Sequence, residues 1–147
     1  MIDEINHQIN RELYSGYLYL SMAAYLDSKK LKGCSHWMRK QAEEEYSHAM
    51  KLYDYLVSIG ERVTMEAIEA PQETWENVTA VFEHVLAHEK AVTGMINELV
   101  RIADEEALTM LEWFVKEQEE EEESAGKALK MVQELPIEEV NKQLGGR

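Results

Sequence analysis

The sequence predicts an all-α protein: a bundle of four long helices, one long crossover between the second and third, and a truncated fifth helix. Three observations carry that reading. Only 2 prolines and 7 glycines interrupt 147 residues, which favours long helices over many short strands. Apolar residues recur every three or four positions, as a helix with one buried stripe requires. The pattern breaks three times, in a short, a long and a short connection, so two antiparallel hairpins are joined by a crossover. A long coiled coil fits less well, because no strict heptad runs through those breaks. One domain over residues 1–136 is expected, followed by a short tail or vestigial helix over 137–147.

The first helix spans residues 3 to about 31, with Ile5, Ile9, Leu13, Tyr17, Leu20 and Ala24 as its buried stripe. Leu31-Lys32-Gly33 reads as the first break. The second helix runs from about Ser35 to Ile59 on Met38, Ala42, Ala49, Leu52 and Leu56, and Gly60 stops it. Residues 60–76 hold Gly60, Thr64, Pro71 and Thr74 with weak periodicity, and form the crossover. Asn77 is a suitable N-cap for a third helix reaching about Asp104. The fourth runs from about Glu106 to Leu135 and ends at Pro136. Ile137 to Leu144 is long enough for two turns, and Gly145-Gly146-Arg147 should fray.

The formal net charge is −14. It argues against nucleic acid and anionic membrane surfaces as partners, since phosphates are repelled, and it suits cations. As a solubilising coat the same charge needs no ligand at all. The single cysteine, Cys34, cannot make an intrachain disulfide, which points to a reducing, cytoplasmic setting. No basic segment followed by an apolar run opens the chain, and no stretch approaches the length of a membrane span.

The inner stripes carry ionisable groups, which a packed bundle should avoid. Glu12 sits in the first stripe, Glu45 and His48 in the second, Glu89 in the third, and Gln118 and Glu121 in the fourth. Residues at i and i+3 share a helix face, so Glu45 and His48 can hold one ion together. One carboxylate from each of two helices, with Glu-x-x-His on the others, is the recurring di-iron plan of bundles. Here the fourth helix carries Gln-x-x-Glu instead, so each hairpin supplies one carboxylate and then an i,i+3 pair. Glu-x-x-His alone is weak evidence, and by itself a surface pair explains it better. The fourfold arrangement is much stronger. Carboxylate oxygens with one imidazole suit iron, manganese or zinc. Two such ions about 3.5–4 Å apart are a common reactive unit. His36, His84 and His88 have no evident partner and read as ordinary surface or core histidines.

At these positions the sequence resembles the non-haem ferritins of bacteria and archaea. The resemblance is carried by NRELYSGYLYLSMAAY (10–25), LKGCSHWM (31–38), QAEEEYSHAMKLYDYL (41–56), AHEKAV (87–92) and WFVKEQEEEE (113–122). It implies a ferritin-like fold and an iron-storage function. The metal ligands it implies are Glu12, Glu45 (bridging), His48, Glu89, Gln118 and Glu121, with Glu44, Glu117, Glu120 and Glu121 forming a third iron site. It also implies a ferroxidase that oxidises Fe(II) with dioxygen or hydrogen peroxide, and a homo-oligomeric cage of roughly 24 subunits. Tyr19 matches the family's tyrosine beside the site, and Trp113 its tryptophan on the fourth helix. Tyr19 donates an electron or a hydrogen bond to bound oxygen, or is simply a core tyrosine with a satisfied hydroxyl; both readings stand. Haem is not expected, because Tyr46 occupies the place of the haem-ligating methionine of bacterioferritins. One cysteine excludes a rubredoxin-like segment of the rubrerythrin kind. The alternatives are an acidic bundle that only binds metal, and a di-metal oxidase of smaller assembly.

Two departures from the family pattern stand out. The connection between the third and fourth helices is shorter by about one helical turn. The fifth helix is cut to Ile137–Leu144, with Ile137, Val140 and Leu144 as its apolar residues. Wider pores, a smaller assembly or a salt-dependent cage are the expected consequences, the last because screening weakens repulsion between acidic subunits.

Overall fold

The computed structural model describes residues 1–147. Five helices make it up: α1 (Ile2–Ser28), α2 (Lys32–Ser58), α3 (Val78–Ile102), α4 (Glu105–Glu134) and α5 (Ile137–Leu144). α1 packs on α2 and α3 on α4, and the short α5 lies chiefly against α2. No strand is present, and no helix is long and apolar enough to cross a membrane.

The first turn differs from its expected place. The left-handed residue is Lys30 (φ 59°), not a glycine. Its N–H bonds to the Asp27 carbonyl at 2.9 Å, and the Leu31 N–H bonds to Leu26 at 3.0 Å, which satisfies the orphaned end of α1. Gly60 (φ 78°) closes α2 in the same way. Gly33 is therefore free for another role: a Cβ there would lie 1.7 Å from the Asn141 carbonyl oxygen. Its bare backbone lets α5 dock. Asn141 Oδ1 then accepts from Gly33 N at 2.8 Å and Cys34 N at 3.0 Å, capping α2 from outside the helix. Val140 and Leu144 are buried by this docking. The tail does not fray either: Arg147 packs over Trp37 and donates to its carbonyl.

Asn77 caps α3 by accepting from Ala80 N at 2.8 Å, and Asp104 caps α4 by accepting from Ala107 N at 2.8 Å. The crossover is held along α1 by two buried asparagines. Asn6 exchanges hydrogen bonds with Arg62 O and Thr64 N, and Asn10 with Thr64 O and Glu66 N. These amides supply the partners that a loop backbone lacks.

The buried stripe of α1 departs from the expected one. Ile5 and Ile9 are buried, but Tyr17 and Leu20 are 53% and 50% exposed, and Ala24 is exposed too. Steps of four residues overrun a 3.6-residue turn, so the series leaves the buried face within about three steps. The real stripe passes through Glu12, Ser15, Leu18, Tyr19, Met22 and Leu26. Tyr17 and Leu20 instead line an apolar surface groove with Leu13, Tyr46 and Ile68.

The apolar core is split in two. One cluster holds Leu18, Met22, Met38, Phe82, Ala125 and Val140 among others; the second holds Ile5, Ile9, Leu52, Ile96, Leu111 and Phe114. On each of the four long helices the polar inner residues fall between the two clusters in sequence. The bundle thus walls a polar layer on both sides.

Candidate metal centre

Six side chains make that layer: Glu12 from α1, Glu45 and His48 from α2, Glu89 from α3, and Gln118 and Glu121 from α4. None is more than 4% exposed. Potential ligand atoms of Glu12, Glu45 and His48 lie within 4.8 Å of one another, and so do those of Glu45, Glu89 and Glu121. Glu45 belongs to both groups and is placed to bridge them. Apolar packing on either side keeps these groups from turning outward.

The layer is under-satisfied. Both carboxylate oxygens of Glu45, Oε2 of Glu12 and Nδ1 of His48 are buried without a hydrogen-bond partner. Each such atom costs about 1–3 kcal/mol unless something else pairs with it. A cation, bound by all of them at once, is the partner this geometry fits. Burial pushes the Glu45 carboxyl well above the usual range, helped by the neighbouring Glu12 and Glu89 charges. Burial also raises Glu89, against the pull of its hydrogen bonds from Tyr19 and Gln118. Glu121 is pushed up to about 9, first by burial and then by Glu89. Without metal, these carboxyls hold protons that a cation would displace.

Neighbouring groups fix the carboxylates in place. The Tyr19 hydroxyl, fully buried, donates to Glu89 Oε1. Burial and the nearby carboxylates hold its phenol well above its ordinary pKa, so it stays protonated. Gln118 Nε2 donates to the carbonyl and Oε2 of Glu89 and to Thr93 Oγ1, each at 3.2 Å. Gln41 and Gln8 hold Glu121 and Glu12 at 3.0 and 3.2 Å. The sequence reading missed Gln8, Gln41 and Thr93. A signal existed for two of them, since Gln8 and Gln41 sit four residues before Glu12 and Glu45 on the same helix face.

The outer carboxylates are placed less uniformly. Glu117 is half-buried and can join His48 and Glu121 in a third group of ligand atoms. Glu44 is half-buried and ion-paired with Arg147, while Glu120 is exposed and joins none of the three groups. Trp113 is 39% exposed, stands edge-on to His48 and carries Lys51 Nζ over its ring at 3.9 Å. The remaining histidines find partners: His88 meets Ser15 Oγ at 2.7 Å, and His84 accepts from Trp75 Nε1 at 3.0 Å.

Fold and cluster together define a class, the helical bundle with a buried, carboxylate-rich layer whose side chains could hold metal ions. A family model for the ferritin-like domain matches residues 2–135. A bacterial non-heme ferritin of Bacteroides fragilis is 39% identical over 125 residues, covering 82% of this chain and 79% of that protein. One from Escherichia coli is 35% identical over 126 residues, covering 83% and 76%. An open pore ferritin of the archaeon Archaeoglobus fulgidus superposes with a TM-score of 0.94 at 43% identity, covering 99% of this chain and 96% of that one. The chain belongs to the ferritin family, and its similarity is to the non-haem ferritins.

Proposed function

We propose that this ferritin stores iron by oxidising Fe(II) at the Glu12, Glu45, His48, Glu89, Gln118 and Glu121 cluster. Two Fe(II) ions enter as substrate, one beside Glu12 and His48, the other beside Glu89 and Glu121, with Glu45 between them. Each loses one electron. Dioxygen takes both electrons and two protons and leaves as hydrogen peroxide; alternatively, hydrogen peroxide takes them and two protons and leaves as water. The observation that carries this reading is Glu45: fully buried, with both oxygens unpartnered, and common to two ligand groups. The protein binds the ions, fixes their spacing and excludes bulk water, and iron carries the redox change. Because one ion gains a histidine and the other does not, the two irons are inequivalent.

Tyr19, kept protonated by burial and the nearby carboxylates and donating to Glu89, stands ready to hydrogen-bond or reduce an oxygen species. Glu44, Glu117, Glu120 and Glu121 form an outer third iron site, with Glu121 shared. Ferric product then accumulates as mineral inside a homo-oligomeric cage in the cytoplasm. The apolar groove of Tyr17, Leu20 and Tyr46 supports self-association, since exposed apolar patches of this kind mark interfaces. The similarity to an open pore ferritin supports wide openings in such a cage. Aerobic loading with excess Fe(II) tests the reading: a soluble ferric core that elutes with the protein is expected. Oxidation with no retained iron would reduce the function to that of an oxidase, and no acceleration over buffer would remove both.

A further inference from the structure

We propose that the Arg147 guanidinium is a tethered counter-ion that occupies Glu44 and thereby sets how tightly the outer site takes a divalent cation. The proposal rests on the outer-site reading of Glu44 and adds its regulation. Arg147 Nη2 lies 3.0 Å from Glu44 Oε1. The same side chain donates through Nη1 to the Trp37 carbonyl at 3.1 Å and stacks with Cζ 4.8 Å from the Trp37 ring centroid. Its carbonyl oxygen meets His36 Nε2 at 2.8 Å. Upstream, Asn141 pins α5 to the start of α2, and Gly33 and Gly145 approach so closely that a Cβ on Gly145 would lie 3.0 Å from Gly33 Cα. The guanidinium is therefore delivered by a docked tail and not by a loose end.

Its target stands next to the metal layer. Glu44 immediately precedes Glu45 in sequence and, in the outer-site reading, shares a cation with Glu117, Glu120 and Glu121. Glu121 in turn belongs to the group with His48 and Glu117. In that reading Arg147 already pairs with one of the acids the outer cation would use. A guanidinium and a metal ion both need the Glu44 oxygens, and two cations side by side repel. A third cation must therefore displace Arg147, whereas the two inner positions, built from other residues, need no such exchange. Exposed ion pairs of this type change equilibria by about two- to fivefold.

Zinc titration of the metal-free full-length protein, followed by calorimetry, tests this with a redox-inert ion. Two tight steps per chain and one weaker step are expected. Arg147→Gln should tighten only the weaker step, about two- to fivefold. Arg147→Lys, which keeps the charge, should stay near the wild-type value. Glu44→Gln should weaken the third step and erase the effect of Arg147→Gln in the double variant. If the weaker step is the same in Arg147→Gln, or all three steps shift together, the guarding role is overturned while the inner site stands. Absence of the two tight steps in wild type would overturn the dimetal reading and this proposal with it. Thermal melting of each variant confirms that α5 remains docked.

Discussion

Replacing Glu45 with methionine should reverse the order of stability between the metal-free and metal-loaded protein. Glu45 is fully buried, and neither carboxylate oxygen has a partner. Methionine has similar length and no polar atom to leave unpaired. Removing an unsatisfied buried polar group should raise metal-free stability by about 1–3 kcal/mol. For a chain of this size that is an upward shift of about 3–10 °C in Tm. With metal the sign reverses. A ligand at 100 times its Kd stabilises the folded state by about 2.7 kcal/mol per site. Glu45 belongs to both inner ligand groups, so Glu45→Met forfeits that gain twice. Scanning calorimetry in EDTA and in excess Zn(II) reads both halves. The variant should melt above wild type in EDTA and below it in zinc. A variant that melts below wild type in EDTA would show that the carboxyl contributes to packing, and the argument from orphaned oxygens would be wrong.

Three further outcomes follow from the same structure. Metal-free stability should fall as pH rises from 7 to 9. Glu121 keeps its proton in the fold up to about 9 against an ordinary 4.5, so its contribution is complete below 4.5 and is lost as pH climbs through 9. His88, held down to about 4 by burial, acts oppositely, but its contribution is complete above its ordinary 6.5. Chemical denaturation across pH 7–9 should therefore show a decline of up to about 1.4 kcal/mol per pH unit for each such carboxyl, and a rise would contradict the sign. Gly33→Ala should undock α5, because its Cβ would sit 1.7 Å from the Asn141 carbonyl oxygen. Loss of the buried Val140 and Leu144 contacts should cost about 3–6 kcal/mol, read by denaturation and by protease cleavage near residue 136; unchanged values would mean that α5 docks elsewhere. Assembly should respond to salt, since each copy carries −14. Light scattering should show larger particles at high ionic strength, and a constant size from low to high salt would refute the repulsion argument.

The bundle and its polar layer were legible because they obey short-range rules. Helix length follows from scarce breakers, and Asn77 announced the start of α3 by its cap. The buried polar residues were legible because charged residues on an apolar stripe break a pattern. What escaped was decided by contacts between elements far apart in sequence. Gly33 looked like a turn glycine, yet its role depends on Asn141, and the turn fell to Lys30. Tyr17 and Leu20 looked buried because a step of four imitates a helical face for only a few turns. Glu44, Glu117 and Glu120 read alike on paper. The fold distinguishes them: the tail pairs Arg147 with Glu44, Glu117 is half-buried beside His48 and Glu121, and Glu120 is exposed.

The central claim is that this one cluster oxidises iron in pairs. Stopped-flow mixing of oxygenated buffer with anaerobic protein, preloaded with increasing Fe(II), tests it most directly. The fast phase should saturate at two Fe(II) per chain, and His48→Ala should slow it by at least about tenfold, as loss of about 1.4 kcal/mol or more of stabilisation implies, while the helical signal stays intact. A fast phase that keeps growing past two irons per chain, or that survives unchanged in His48→Ala, would contradict it.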